Sequence, residues 1–315
     1  MAKAIKILKY TIIIFIIFFI AICIFFGRRD IPLQNLKLKY ANQQSAFINV
    51  DGMNVHYKDE GNVADTIPIV LLHGTASSLQ TFDAWTDSLK NSKRVVRMDM
   101  PAFGLTGPFP NRNYSIDNYV NFIHHFLVAK NISKCILAGN SLGGQIALNY
   151  TIQHPTNVSK LILIDAAGYP LESKSTPIAF KIARIPILNK MLTFITPRFM
   201  AKASVESVYE NKSKVTQNLV DRYYELTLRE GNRQALVDRL TMKTDTSSIP
   251  YYKNVQQPTL ILWGEQDLLI PIKNAYRFHN DLPNDTLVIL KNVGHVPMEE
   301  NSIESLVVLM NFIKK

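Results

Sequence analysis

The chain has 315 residues, an apolar share of 47% and a formal net charge of +10, from 35 basic and 25 acidic residues. That length suits one large α/β domain with an added segment and does not require a second core. With only Cys23 and Cys135 there is no disulfide framework. Metal spacings of the His-Glu-x-x-His or Cys-x-x-Cys kind are missing, so neither metal nor cofactor is expected. No basic cluster interleaves with aromatics, so nucleic acid is not an expected partner; a basic body beside an anionic membrane is the simpler account of the charge.

From the N-terminus, Thr11 to Phe26 carries no charge and is almost all Ile, Phe and Ala, with Lys3, Lys6 and Lys9 before it and Arg28 and Arg29 after. The run ends without a small-x-small cleavage site. Tyr10 to Gly27 just reaches the roughly 17–25 residues a spanning helix needs. Residues 1–30 are therefore expected to form an uncleaved single-span anchor. A buried core helix is the alternative, and a run apolar on every face argues against it. The basic flanks lean weakly toward a cytoplasmic N-terminus, which leaves the body extracytoplasmic. Residues 31–46 read as a polar tether, and residues 47–315 as the folded domain.

Phe47 to Val50 and Asn54 to Tyr57 flank Asp51-Gly52, a hairpin turn signal. Ile67 to Leu72 and Arg94 to Met98 are aliphatic runs of strand length. Ser115 caps a predicted helix to about Ala129, with Ile116, Tyr119, Val120, Ile123 and Leu127 on one face. Lys134 to Ala138 predicts a strand, Leu142 to His154 a helix and Lys160 to Ile164 a strand. The alternation resumes at Thr259 to Trp263, Thr286 to Leu290 and a last helix from Ser302 to Ile313. Such alternation predicts a mostly parallel sheet with helices on both faces. Between about 168 and 252 the strand signal disappears, and that stretch reads as an inserted helical cap.

Gly139-Asn140-Ser141-Leu142-Gly143 lies directly after one predicted strand and directly before a helix. A nucleophilic serine needs that sharp turn, with glycines where side chains would clash, and the helix N-terminus behind it favours developing negative charge. The bland alternative is an ordinary serine N-cap. A serine needs a base, and His295, in the loop between the last strand and last helix, reaches the sheet edge where Ser141 lies. The imidazole needs an orienting acid. Asp267 follows a buried strand at that edge, with Asp165 as its rival; Asp99 reads as a turn former. Ser141, Asp267, His295 is then the chain order expected for this motif. For an oxyanion, the backbone N–H groups of Thr75, in Leu72-His73-Gly74-Thr75, and of Leu142 are the expected donors. His73 is expected to brace its loop.

These segments, with Asp99-Met100-Pro101-Ala102-Phe103-Gly104, Leu163-Ile164-Asp165-Ala166-Ala167-Gly168, Trp263-Gly264-Glu265-Gln266-Asp267 and Gly294-His295-Val296-Pro297-Met298, make the chain from about Phe47 to Ile313 resemble the α/β-hydrolase superfamily. Within it, the chain is similar to bacterial family V lipases and the monoacylglycerol-lipase-like branch. It departs from lipases with a His-Gly-Gly-Gly segment, because Thr75 and Ala76 replace two glycines. The resemblance implies a serine esterase acting on a lipid or acyl ester, and the N-terminal segment adds the expectation of a single-pass protein of a bacterial inner membrane. The cap segment from Pro177 to Met200, rich in large apolar residues and Lys or Arg without an acid, is expected to cover the acyl pocket and touch the bilayer. Two other readings stay open: a carbon–carbon-bond hydrolase sharing several of these segments, and a non-catalytic membrane-tethered binding protein on the same scaffold.

Overall fold

The computed structural model describes residues 2–170, 172–243 and 245–314, so two positions of the expected cap, Leu171 and Thr244, lie outside the described residues. The chain opens with helix α1 (Ala2–Phe26). Its 24 residues from Lys3 to Phe26 are long and apolar enough to cross a membrane, and none of the apolar stretch is buried against the rest of the protein; a signal sequence passes the same test of length and composition.

Residues 31–46, the expected polar tether, hold a helix docked on the body. Leu33–Tyr40 is a helix, α2, and its Leu36 is buried with Leu105 and Leu226. Leu33, Leu36 and Tyr40 recur at helical spacing, so a chain polar in composition still has one apolar side to dock. Burying a leucine of that kind contributes about 1.5–3 kcal/mol. Just before α2, the Ile31 amide donates to the Leu228 carbonyl at 2.7 Å.

The end of α1 is pinned as well. Phe26 meets Phe199 edge-on with ring centroids 5.8 Å apart, and the Arg28 amide donates to the Phe194 carbonyl at 2.9 Å. Arg233 holds Asp30 at 2.6 Å and the Arg28 carbonyl at 2.8 Å.

The body is built on one eight-stranded sheet in the order β1-β2-β4-β3-β5-β6-β7-β8. Strands β1 (Ser45–Val50) and β2 (Met53–Gly61) form the expected hairpin. Asp51 and Gly52 take φ of 51° and 78°, the left-handed pair that matches a hairpin to strand twist. The remaining strands run parallel: β3 (Ile69–Leu72), β4 (Arg94–Met98), β5 (Cys135–Asn140), β6 (Val158–Ile164), β7 (Thr259–Gly264) and β8 (Asp285–Leu290).

Alternate residues of these strands enter two cores, as the two-residue period of a strand requires. Val70, Leu72 and Leu137 pack on one face, where α4 (Ile116–Ala129), α5 (Leu142–Gln153) and α11 (Lys273–Asp281) lie. Leu71, Ala138 and Ile162 pack on the other, against α3 (Asp83–Leu89), α12 (Pro297–Glu300) and α13 (Ser302–Lys314). Ser115 caps α4 as expected, its hydroxyl accepting from the Asn118 amide at 3.2 Å.

Between β6 and β7 the described residues hold helices and no strand: α6 (Ile178–Ala183), α7 (Leu188–Leu192), α8 (Arg198–Glu206), α9 (Gln217–Thr227) and α10 (Asn232–Thr241). They roof the C-terminal edge of the parallel strands, where open α/β sheets bind ligands.

Candidate active site

Ser141 sits between β5 and α5 with φ 56° and ψ −118°, a backbone conformation a serine adopts only under constraint. The constraint is packing. A Cβ on Gly139 would lie 2.2 Å from the Gly143 carbonyl, and one on Gly143 would lie 2.2 Å from the Leu72 carbonyl. Only glycine fits at either place, so the sequence pattern and the strained turn have one cause. The turn is tied down by its own backbone. The Ser141 amide donates to the Ile164 carbonyl at 3.0 Å, and its carbonyl accepts from Ala167 at 3.0 Å and Gln145 at 3.1 Å.

The loop after β3 comes down on this turn. A Cβ on Gly74 would stand 3.1 Å from the Ser141 Cβ, which sets the neighbouring Thr75 beside the serine. Among the described residues neither the Thr75 amide nor the Leu142 amide has a protein acceptor, the latter being the first of its helix. His73 braces this loop: one ring nitrogen meets the Gly74 carbonyl at 2.8 Å, and the other accepts from the Met100 amide at 2.9 Å.

His295 and Asp267 leave β8 and β7 at the same edge and meet, with His295 Nδ1 2.7 Å from Asp267 Oδ2. The other Asp267 oxygen accepts from the Leu269 amide at 2.8 Å and the Ile270 amide at 2.9 Å. Both oxygens are therefore engaged, an arrangement that fixes the carboxylate and through it the tilt of the ring. Asp165, the rival acid, lies behind this pair and is fully buried. Its Oδ1 accepts from the Gly264 amide at 2.9 Å, while Oδ2 has no donor. Burial first, and then the Asp267 charge, push the Asp165 pKa well above the usual carboxylate range, which favours its protonated form. Ligand atoms of Asp165, Asp267 and His295 come within 4.8 Å of one another. Within the cluster His295 is bound to Asp267, and the Leu269, Ile270 and Gly264 amides bind the two carboxylates.

Asp99 is not the turn former expected. It is buried, lies 2.6 Å from His56, and accepts from the Leu79 and Leu105 amides at 2.8 Å each. Burial works against its charge, but His56 and its other donors hold its pKa below the ordinary value.

Two bracing residues carry no local sequence signal. The Asn140 side-chain amide donates to the Ile164 carbonyl at 3.2 Å and to the His295 carbonyl at 3.0 Å, tying the serine turn to the histidine loop. Glu300, 3% exposed, accepts from the amides of Gly294 at 2.7 Å, Asn211 at 2.7 Å and Glu210 at 3.2 Å. The cap thus holds the histidine loop from above, and the His295 amide donates to the Val208 carbonyl at 2.8 Å. Glu300→Gln would face one of those donors with another donor. It is expected to cost about 2 kcal/mol or more of stability, read by urea unfolding, since hydrogen bonds to a charged group contribute roughly 1.5–3 kcal/mol. Wild-type stability in this variant would remove Glu300 from the bracing.

Ser141, His295, Thr75 and Leu142 line one cavity of about 370 Å³ under the cap, within the roughly 300–1,000 Å³ of small-molecule sites. Phe180, Leu192, Met200, Leu236 and Met242 form much of its roof.

Comparison with known proteins agrees with this architecture. A family model described as alpha/beta hydrolase fold matches residues 67–302. A 2-hydroxy-6-oxo-6-(2'-aminophenyl)hexa-2,4-dienoic acid hydrolase of Metapseudomonas resinovorans is 25% identical, over 85% of this chain and 90% of its own. The monoacylglycerol lipase abhd6-B of Xenopus laevis is 26% identical, over 83% of this chain and 82% of its own. The solved meta-cleavage product hydrolase of Pseudomonas fluorescens superposes with a TM-score of 0.73 at 22% identity, covering 87% of this chain and 99% of that one, which speaks to the fold alone.

Proposed function

The chain belongs to the alpha/beta hydrolase family, and from that premise we propose that it is a membrane-anchored serine hydrolase of carboxylic esters, acting on lipid or acyl esters such as monoacylglycerols. The observation that carries this reading is the shared cavity: Ser141 and His295 both face it, with His295 held 2.7 Å from Asp267.

In the proposed reaction His295 takes the Ser141 proton as the oxygen attacks the ester carbonyl. The Thr75 and Leu142 amides hold the oxyanion. The carbonyl carbon–oxygen bond to the alcohol then breaks, and His295 returns the proton to the departing alcohol. Water repeats the sequence on the acyl-serine, giving its OH to the acyl group and restoring the Ser141 hydroxyl. Asp267 stabilises the imidazolium throughout, and no cofactor enters.

Attachment through α1 belongs to the same proposal. It is supported by the unburied apolar stretch of that helix and by the cap face beside its exit. Ile178, Ile185, Ile187, Phe194 and Phe199 are exposed there, beside Lys181 and Lys190. Apolar residues among acyl chains and basic ones among headgroups is the pattern of an interfacial surface. The basic N-terminal flank favours a cytoplasmic N-terminus in a bacterial inner membrane, with the catalytic body outside.

The dienoic acid hydrolase relative supports a second reading, cleavage of a carbon–carbon bond. A fluorophosphonate probe and a panel of p-nitrophenyl esters of increasing acyl length, run beside a 2-hydroxy-6-oxo-dienoic acid, separate the two. We expect labelling at Ser141 and turnover of the esters. Turnover of the dienoic acid without ester turnover would transfer the assignment to carbon–carbon cleavage, and absence of labelling would end the serine-hydrolase reading.

A further inference from the structure

The cavity is one-sided in charge. Arg184, Arg233 and Arg239 line it, and among the described residues no aspartate or glutamate does. Arg233 is already spent on Asp30 at 2.6 Å and on the Arg28 and Phe194 carbonyls. Arg184 and Arg239 have no such compensation. Among the described residues neither side chain has a hydrogen-bond or ion-pair partner, and the Arg239 Nε is closed off from solvent with no acceptor. The neighbouring acids point elsewhere: Asp238 binds Arg112 at 2.8 Å, and Asp245 accepts from the Ser247 amide at 2.9 Å.

The two guanidiniums also feel each other. Burial lowers the Arg239 pKa, the nearby Tyr119 oxygen offsets part of that, and the Arg184 charge lowers it further, but a guanidinium stays charged at neutral pH. Arg239, half-buried beside the exposed Arg184, meets a second positive charge with less screening than bulk water gives, and a buried donor without an acceptor is costly. An anion placed between them relieves both. Arg184 is exposed and Arg239 is half-buried, so the pair runs from the rim inward.

We propose that Arg184 and Arg239 form an anion subsite of the cavity, and that the ester cleaved at Ser141 carries a phosphate or carboxylate seated there. Its chain lies against Phe180, Leu236 and Met242. This rests on the serine-hydrolase reading and narrows its substrates from neutral acyl esters to anionic amphiphiles. A guanidinium presents a planar fork of donors that matches either anion.

The test uses the full chain in a neutral detergent and short-chain esters below their micelle concentrations. A 1-acylglycerol 3-phosphate is compared with the matching monoacylglycerol, and the mono-p-nitrophenyl ester of a dicarboxylic acid with the matching neutral ester. The first pair places the anion on the alcohol and the second on the acyl side. We expect kcat/KM for the charged member of at least one pair to exceed its neutral partner by roughly tenfold or more, as a charge-assisted contact allows. Arg239→Gln and Arg184→Gln should each lower that ratio by a similar factor, and Arg239→Lys should lower it less. On the wild type, an alkyl phosphate should compete with neutral-ester turnover about tenfold better than the alkanol of equal length.

Neutral esters turned over without preference in either pair would overturn the subsite and leave the hydrolase reading standing. A preference seen only on anionic vesicles would overturn it too, reassigning the arginines to headgroup contact. Equal competition by phosphate and alkanol overturns it even where a variant fails to fold. Loss of all ester turnover together with an unlabelled Ser141 is the distinct failure of the parent reading.

Discussion

Ser141→Ala is expected to lower ester turnover by about 10⁴-fold or more, the scale on which removal of a nucleophile acts in serine hydrolases, while the fold survives. Among the described residues the hydroxyl has no hydrogen-bond partner, so its removal breaks no internal hydrogen bond there. Alanine accepts the same φ of 56° at a cost near that already borne by serine. The packing that enforces this turn belongs to Gly139 and Gly143 and is untouched. The check is turnover on a soluble ester alongside thermal unfolding of both proteins. Retention of more than a few per cent of turnover, with contaminating esterases excluded, would remove Ser141 from the reaction.

The two buried aspartates should respond very differently to amidation. Asp267→Asn is expected to cost about 10⁴-fold in kcat, because an amide opposite Nδ1 favours the wrong imidazole tautomer and cannot balance its charge. Asp165→Asn should cost less than about tenfold, since an asparagine amide reproduces the uncharged, hydrogen-bonding shape that Asp165 already has. Comparable losses, or the reverse order, would move the orienting role to Asp165.

Stability against pH gives an independent reading of the same pair. Folding raises the Asp165 pKa, so the folded state keeps a proton that the unfolded chain releases near an ordinary value of about 3.9. The contribution of Asp165 to stability is therefore complete below that pH and is lost as pH rises toward the folded value. Asp165→Asn abolishes this dependence, so its stability relative to wild type should improve between mildly acidic and neutral pH. A constant difference between the two unfolding curves would contradict a protonated Asp165.

Much of this was legible in the sequence because the chemistry demanded local patterns. Glycines at 139 and 143, a strand before them and a helix after them are one physical requirement written in adjacent residues. The parallel strands showed themselves as short aliphatic runs, and the Ser115 cap by its place before an apolar helical face. The unread parts depend on contacts between distant segments. Glu300 follows Met298 and Glu299 and looks like part of a solvated helix start, yet its donors come from residues 210, 211 and 294. Asp99 gained three partners from residues 56, 79 and 105, none of which its surroundings announce. Helix α3 holds Trp85, Thr86 and Leu89 in seven residues, too short for a helical period to emerge. In α2 the lysines and glutamine outweigh three spaced apolar residues, so composition alone does not show that the segment docks.

If α1 spans a bilayer as proposed above, its joint with the cap makes bilayer thickness a mechanical variable. The 24 residues from Lys3 to Phe26 span about 36 Å at 1.5 Å per residue, against a hydrocarbon core of about 30 Å. An embedded helix of that length leans to bury its excess. A slack leash would absorb the lean. Here Phe26 on Phe199, the Arg28–Phe194 backbone bond and the Arg233–Asp30 pair carry it into the helices roofing the cavity. Under the anchoring proposed above, the helix would act as a lever arm, and a thinner or thicker membrane would swing the cavity mouth relative to the bilayer plane.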